Sequence, residues 1–155
     1  MVWAISAPRM ADVCRPGRAK GATKWERREH GQVAEGCRIR ELPDGGREFV
    51  LDQPALSHIR IDHQARLQFG RTEVAIDGPF VLAMAGAVHR LDPHQRSTLG
   101  PLLALFPGSM RWLWVSAGGE LTAVLDNGAQ VTVAPGRAGN AWSVGTVHDV
   151  PGGTA

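Results

Sequence analysis

The chain predicts a β-dominated α+β domain. Two antiparallel three-stranded meanders form a sandwich or partly open barrel, with one interrupted helix between them. Three observations carry this reading. Apolar and polar residues alternate in short runs, Gly-, Pro- and Asn-containing turns punctuate those runs, and a single segment has a helix-start signature. At 155 residues, 43% hydrophobic and 21% charged, the chain can bury a core without metal or disulfide staples. Its longest apolar stretch, Pro79 to Val88, is about half the roughly 18 residues a membrane helix needs, so no membrane partner is expected.

Charge divides the chain. Residues 1–30 hold seven basic side chains (Arg9, Arg15, Arg18, Lys20, Lys24, Arg27, Arg28) against three acids, and the remainder is faintly acidic. With no sustained period, 1–30 reads as a basic, disordered N-terminal arm, 31–148 as one β-rich domain and 149–155 as a flexible tail. Translation from Met10 rather than Met1 is an open alternative. Cys14 and Cys37 make neither a disulfide framework nor a Cys-x-x-Cys metal site. Together with the absence of a basic, apolar leader at Met1 to Met10, they suggest a reduced, cytoplasmic protein.

The elements follow in order. Residues 37–42 alternate, Pro43-Asp44-Gly45-Gly46 turns the chain, and 47–51 resumes, which reads as a hairpin. Leu56, Ile59 and Ile61 are the apolar positions of the next strand. Residues 66–69 and 72–76 are joined by Gly70-Arg71, and 80–88 is apolar enough to be one strand buried on both faces. Residues 110–116, 120–125 and 129–133 repeat the theme, with Asp126-Asn127-Gly128 as a hairpin whose central residues need positive φ. Duplication or convergent hairpin chemistry would account for the likeness of the two halves. Asp92-Pro93-His94-Gln95 starts the helix, Gly100-Pro101 interrupts it, and Leu102, Leu103, Leu105 and Phe106 are expected to bury before Pro107-Gly108 stops it. Trp142 is expected to staple the last strand into the core.

A resemblance emerges from Leu91-Asp92-Pro93, Leu99, Pro101-Leu102-Leu103-Ala104-Leu105, Gly119-Glu120-Leu121, Asp126-Asn127-Gly128 and Ala141-Trp142. These motifs are similar to those of a family of small actinobacterial β-rich domains of unknown function, over roughly 31–144. Gly139-Asn140 departs from the aromatic-acid pair usual there. The resemblance implies a fold and no activity, cofactor or site.

Few side chains suggest chemistry. His58, Asp62, His89 and His94 form two His/Asp clusters, which as an alternative reading would bind a divalent metal or serve a small hydrolase. Arg60 between the first ligands would repel a metal, and Asp92 is already accounted for as a helix cap. No Gly-x-Ser-x-Gly, phosphate loop or dinucleotide motif is present, so the sequence leans against an enzyme and names no cofactor. The arm offers Arg15, Arg18, Lys20, Lys24, Trp25, Arg27 and Arg28 as a nucleic-acid contact, a second alternative that interrupting acids weaken. Trp112 and Trp114 share one strand face, opposite Leu113 and Val115. Burial of the pair under the helix is the favoured arrangement, and the outward one makes them an interaction surface. The leading expectation is a non-enzymatic protein-interaction module, of bacterial regulatory or immunity type, whose partner and oligomeric state the sequence does not specify.

Overall fold

A computed structural model describes residues 33–34, 36–137 and 141–147. The expected arm, including its seven candidate nucleic-acid residues, and the tail lie outside the described residues. Among the described residues twelve strands follow one another: β1 (Val33–Ala34), β2 (Cys37–Glu41), β3 (Arg47–Leu51), β4 (Leu56–Ile61), β5 (Ala65–Phe69), β6 (Thr72–Ile76), β7 (Phe80–Met84), β8 (Ala87–Leu91), β9 (Met110–Val115), β10 (Leu121–Leu125), β11 (Gln130–Val133) and β12 (Trp142–Thr146). They form two antiparallel sheets that do not close into a barrel. One has eight strands in the order β1-β2-β3-β9-β10-β11-β7-β8, the other four in the order β12-β6-β5-β4.

Both expected meanders exist, one in each sheet, and each is extended by strands from elsewhere in the chain. The β4-β5-β6 meander gains β12, whose Trp142, Val144 and Thr146 face Ile76, Val74 and Thr72. The β9-β10-β11 meander is flanked by the β2–β3 hairpin on one side and by β7–β8 on the other. The inner faces share one core. Leu67, Phe69 and Ile76 of the smaller sheet and Leu82, Leu113 and Val133 of the larger are each 0–1% exposed. Alternation along each strand sends the polar residues outward, which is why a one-residue slip would invert every side chain.

Turn chemistry accounts for the hairpins. Asp44 Oδ1 accepts the Gly46 N–H at 3.0 Å, closing the β2–β3 turn around Gly45. Between β10 and β11 only Gly128 has positive φ (84°), whereas Asn127 does not, so the expected two-residue mirror-image turn is replaced by a longer loop. Asn127 holds that loop by accepting from Ala129 N–H at 3.1 Å and donating to the Leu105 carbonyl at 3.2 Å.

Two expectations are corrected. Residues 80–88 are not one strand: Ala85 (φ 51°) and Gly86 (φ 76°) turn the chain, and Val88 on the return strand is 69% exposed. Among the described residues there is no α-helix between the meanders. Instead two 3-10 turns span Arg96–Thr98 and Gly100–Leu105. Gly100-Pro101 does interrupt the segment as expected. The three-residue repeat of a 3-10 turn aligns Leu99, Leu102 and Leu105, at 3%, 0% and 0% exposure, and leaves Leu103 at 68%. Phe106 also stays out, contrary to expectation, at 39%. Asp92 is not a helix cap: the first 3-10 turn starts at Arg96 after Gln95 with no side-chain cap, and Asp92 Oδ1 instead accepts from His94 N–H at 2.9 Å in the turn before it. Cys37 is disulfide-bonded and lies in the core at 1% exposure.

Candidate interaction surface

Strand β9 sets the geometry of the outer face of the larger sheet. Leu113 is fully buried and Val115 is 7% exposed, so Trp112 and Trp114 point outward. Trp112 is 51% exposed and Trp114 half-buried, which corrects the expectation that both lie under a helix. The 3-10 segment that replaced the helix sends Leu102 and Leu105 into the core rather than over this face.

Register then defines the neighbours. Trp114 faces Glu48 on β3 and Thr122 on β10, and Thr122 continues to Thr132 on β11, Val81 on β7 and Arg90 on β8. Trp112 faces Val124, which leads through Gln130 and Ala83 to Val88. Continuing the β3–β9 register carries Val50, paired with Arg38, to the level of Trp112. The apolar positions of the face are therefore Val50, Trp112 and Val124 on adjacent strands, with Val81, Ala83 and Val88 on the far side of the polar pair Gln130 and Thr132.

A register shift between Val124 and Leu125 adds a feature. Val124 pairs with Trp112 and Leu125 with Met110, so Arg111 is the extra residue of a bulge. The bulge lets Met110 and Leu113 both point into the core and leaves Arg111 on the solvent side. Its guanidinium carbon lies 5.2 Å from the Trp112 ring centroid, within cation–π range. Arg38 and Arg90, both exposed, stand towards opposite sides of the sheet, on β2 and β8. Arg40 pairs with Glu48, which within the paired registers of this face is the one acid.

The outer face of the smaller sheet is the opposite case, because its charges satisfy each other. Arg66 pairs with Glu73 at 3.0 Å and with Asp62 at 3.4 Å, and Asp62 also meets Arg60 at 3.4 Å and His63 Nδ1 at 3.2 Å. The Gln64 N–H, donated to Asp62 Oδ1 at 2.9 Å, holds the Asp62 carboxyl below its ordinary value of 3.8; the charges of Arg66, His63 and Arg60 act in the same direction against a partial desolvation.

The four alternative metal residues are not brought together. His58 faces Gln68 on the outer surface of the smaller sheet, and Asp62 sits just past β4 in the network above. His89 lies on β8 of the larger sheet opposite Leu82. His94 is in the turn after β8, with Nε2 3.1 Å from the Asp77 carbonyl oxygen. Among the described residues no group of three or more His, Cys, Asp or Glu converges in metal-binding geometry. Likewise no helix there is long and apolar enough to cross a membrane.

Sequence reasoning found the tryptophan pair and missed Arg38, Arg90, Arg111 and Val88. Arg38 and Arg90 were recoverable from strand parity, being outward positions of alternating runs. Arg111 was not, since no turn residue marks the bulge.

The fold and this surface define a two-sheet β domain with one sheet face open. Residues 49–151 match a family of unknown function, DUF6188, and the chain belongs to that family. No curated protein and no solved structure matches the chain at a significant level.

Proposed function

We propose that this protein is a non-enzymatic protein-interaction module, of bacterial regulatory or immunity type, and that it binds through the open face of the eight-stranded sheet, with Trp112 at its centre and Trp114 beside it. The observation behind the proposal is the exposure contrast along β9: Leu113 is fully buried while Trp112, its neighbour, is 51% exposed beside Val124. Contiguous apolar surface rimmed by polar residues marks association sites, and tryptophan is enriched at their energetic centres. A sheet face supplies this on a rigid platform, so binding needs little ordering of the module itself.

The test compares capture of partners from native lysate by the wild type and by Trp112→Ala and Trp112→Glu. A specific partner retained by the wild type and lost by both variants supports the reading. A partner held equally by all three places the interface elsewhere. The metal and nucleic-acid alternatives gain no support from the geometry of the described residues.

A further inference from the structure

We infer that the partner of the open sheet face is an acidic protein segment that presents an apolar side chain to Trp112. This deepens the interaction-module reading and rests on it. Electrostatics supplies the argument. Arg38 on β2 and Arg90 on β8 stand towards opposite sides of this face, and the bulge places Arg111 over the Trp112 ring at 5.2 Å. Glu48, the one acid in the paired registers of this face, is occupied by Arg40. Arg38, Arg90 and Arg111 thus stand on the side of the sheet that also carries Glu48, held by Arg40, and the exposed Glu120 just before β10, so cations outnumber acids there. The smaller sheet shows what neutralised arginines look like in the same molecule: Arg60 and Arg66 are both tied to Asp62, and Arg66 also to Glu73.

The composition of the face selects among polyanions. Nucleic-acid platforms array several aromatic rings along a basic track, so that successive bases stack. Here one half-exposed indole lies between Val50 and Val124, whose branched side chains pack against aliphatic or aromatic groups rather than bases. A carboxylate-flanked apolar anchor satisfies both parts: its side chain covers Trp112 while its acids pair with planar, fork-shaped donors suited to carboxylates. A second copy of this face would bring like charges together and is disfavoured.

The experiment titrates the full-length chain with two synthetic peptides of identical apolar spacing, one flanked by Glu and one by Lys, and with a single-stranded oligonucleotide, at low and high ionic strength. The Glu-flanked peptide is expected to bind about tenfold or more tightly than the Lys-flanked one and to weaken by about tenfold at high salt. Its affinity should drop to that of the Lys-flanked peptide in Arg38→Glu/Arg90→Glu, with the variant's fold verified by circular dichroism. Equal binding of both peptides, no binding of the Glu-flanked one, insensitivity to the double reversal, or displacement of the peptide by the oligonucleotide would each overturn the inference. The two readings separate cleanly. If lysate capture depends on Trp112 but survives charge reversal, the acidic partner falls and the module stands; if capture ignores Trp112, both fall.

Discussion

The indole N–H of Trp142 donates to the Gly119 carbonyl at 3.0 Å, joining the last strand of the smaller sheet to the β9–β10 turn of the larger one. Both residues are buried, so the bond is a polar clasp between two layers otherwise held by apolar contact. Replacing Trp142 with Phe keeps most of the ring volume and leaves the Gly119 carbonyl without its donor. The expected loss is about 1–3 kcal/mol, read as a lower urea midpoint at unchanged m-value. A midpoint within error of wild type would mean that solvent reaches that carbonyl.

Adjacent residues on β9 should behave in opposite ways. Leu113→Ala opens a cavity in the shared core and should cost roughly 2–5 kcal/mol. Trp112→Ala removes an outward indole and should change stability by no more than about 0.5 kcal/mol while lowering capture of the proposed partner. Chemical denaturation of the two variants side by side checks this.

The β7–β8 turn carries a local strain that substitution can relieve. Ala85 adopts φ 51°, a region costly for alanine and tolerated by asparagine. Ala85→Asn should therefore stabilise by up to about 1 kcal/mol. At Gly86, φ is 76° and nothing lies within 4 Å of an added Cβ, so Gly86→Ala should cost about 1–2 kcal/mol through backbone conformation alone. Thermal melts of the pair should move in opposite directions.

Asp62 predicts an acid limb. Its folded pKa lies below the ordinary 3.8, chiefly through the Gln64 N–H. The ionised carboxylate therefore contributes stability that is fully present above the unfolded value and is lost as pH falls through the folded one. Asp62→Asn keeps an acceptor for Gln64 and loses the charge. Its urea midpoint should lie below wild type at neutral pH, with the gap closing as pH drops below 3.8. A gap constant with pH would assign the effect to the side-chain amide rather than to charge.

Much of the fold was legible because it is written in local chemistry. Pro43-Asp44-Gly45-Gly46 and Gly70-Arg71 turn where their residue types demand, and Trp142 is buried at 4% exposure. The segment from Asp92 to Phe106 carries a helix-start signature and a Gly-Pro interruption, and it forms two 3-10 turns. Leu99, Leu102 and Leu105 are spaced by three, which is the 3-10 repeat, and Gly100-Pro101 disfavours a longer helix. The β7–β8 turn escaped notice since Ala-Gly is a weak turn signal beside Asn-Gly. For the tryptophan pair, parity put both indoles on one face, but which face met the core depended on β3 and β10 arriving beside β9. That information is non-local. The rim of Arg38, Arg90 and Arg111 depends on the same long-range pairing.

The junction of β3 with β9 also governs how the molecule assembles. Glu48 meets Trp114, so the chain between them, including β4, β5 and β6, must be spooled out before the larger sheet can knit together. On the ribosome, the first hairpin and the early meander emerge with no partner layer and wait for the second half of the sequence. Such distant strand pairing makes folding slow relative to helical proteins of similar size, and the waiting intermediates expose unpaired strand edges. A chain stalled before β9 should be a target for chaperones and proteases.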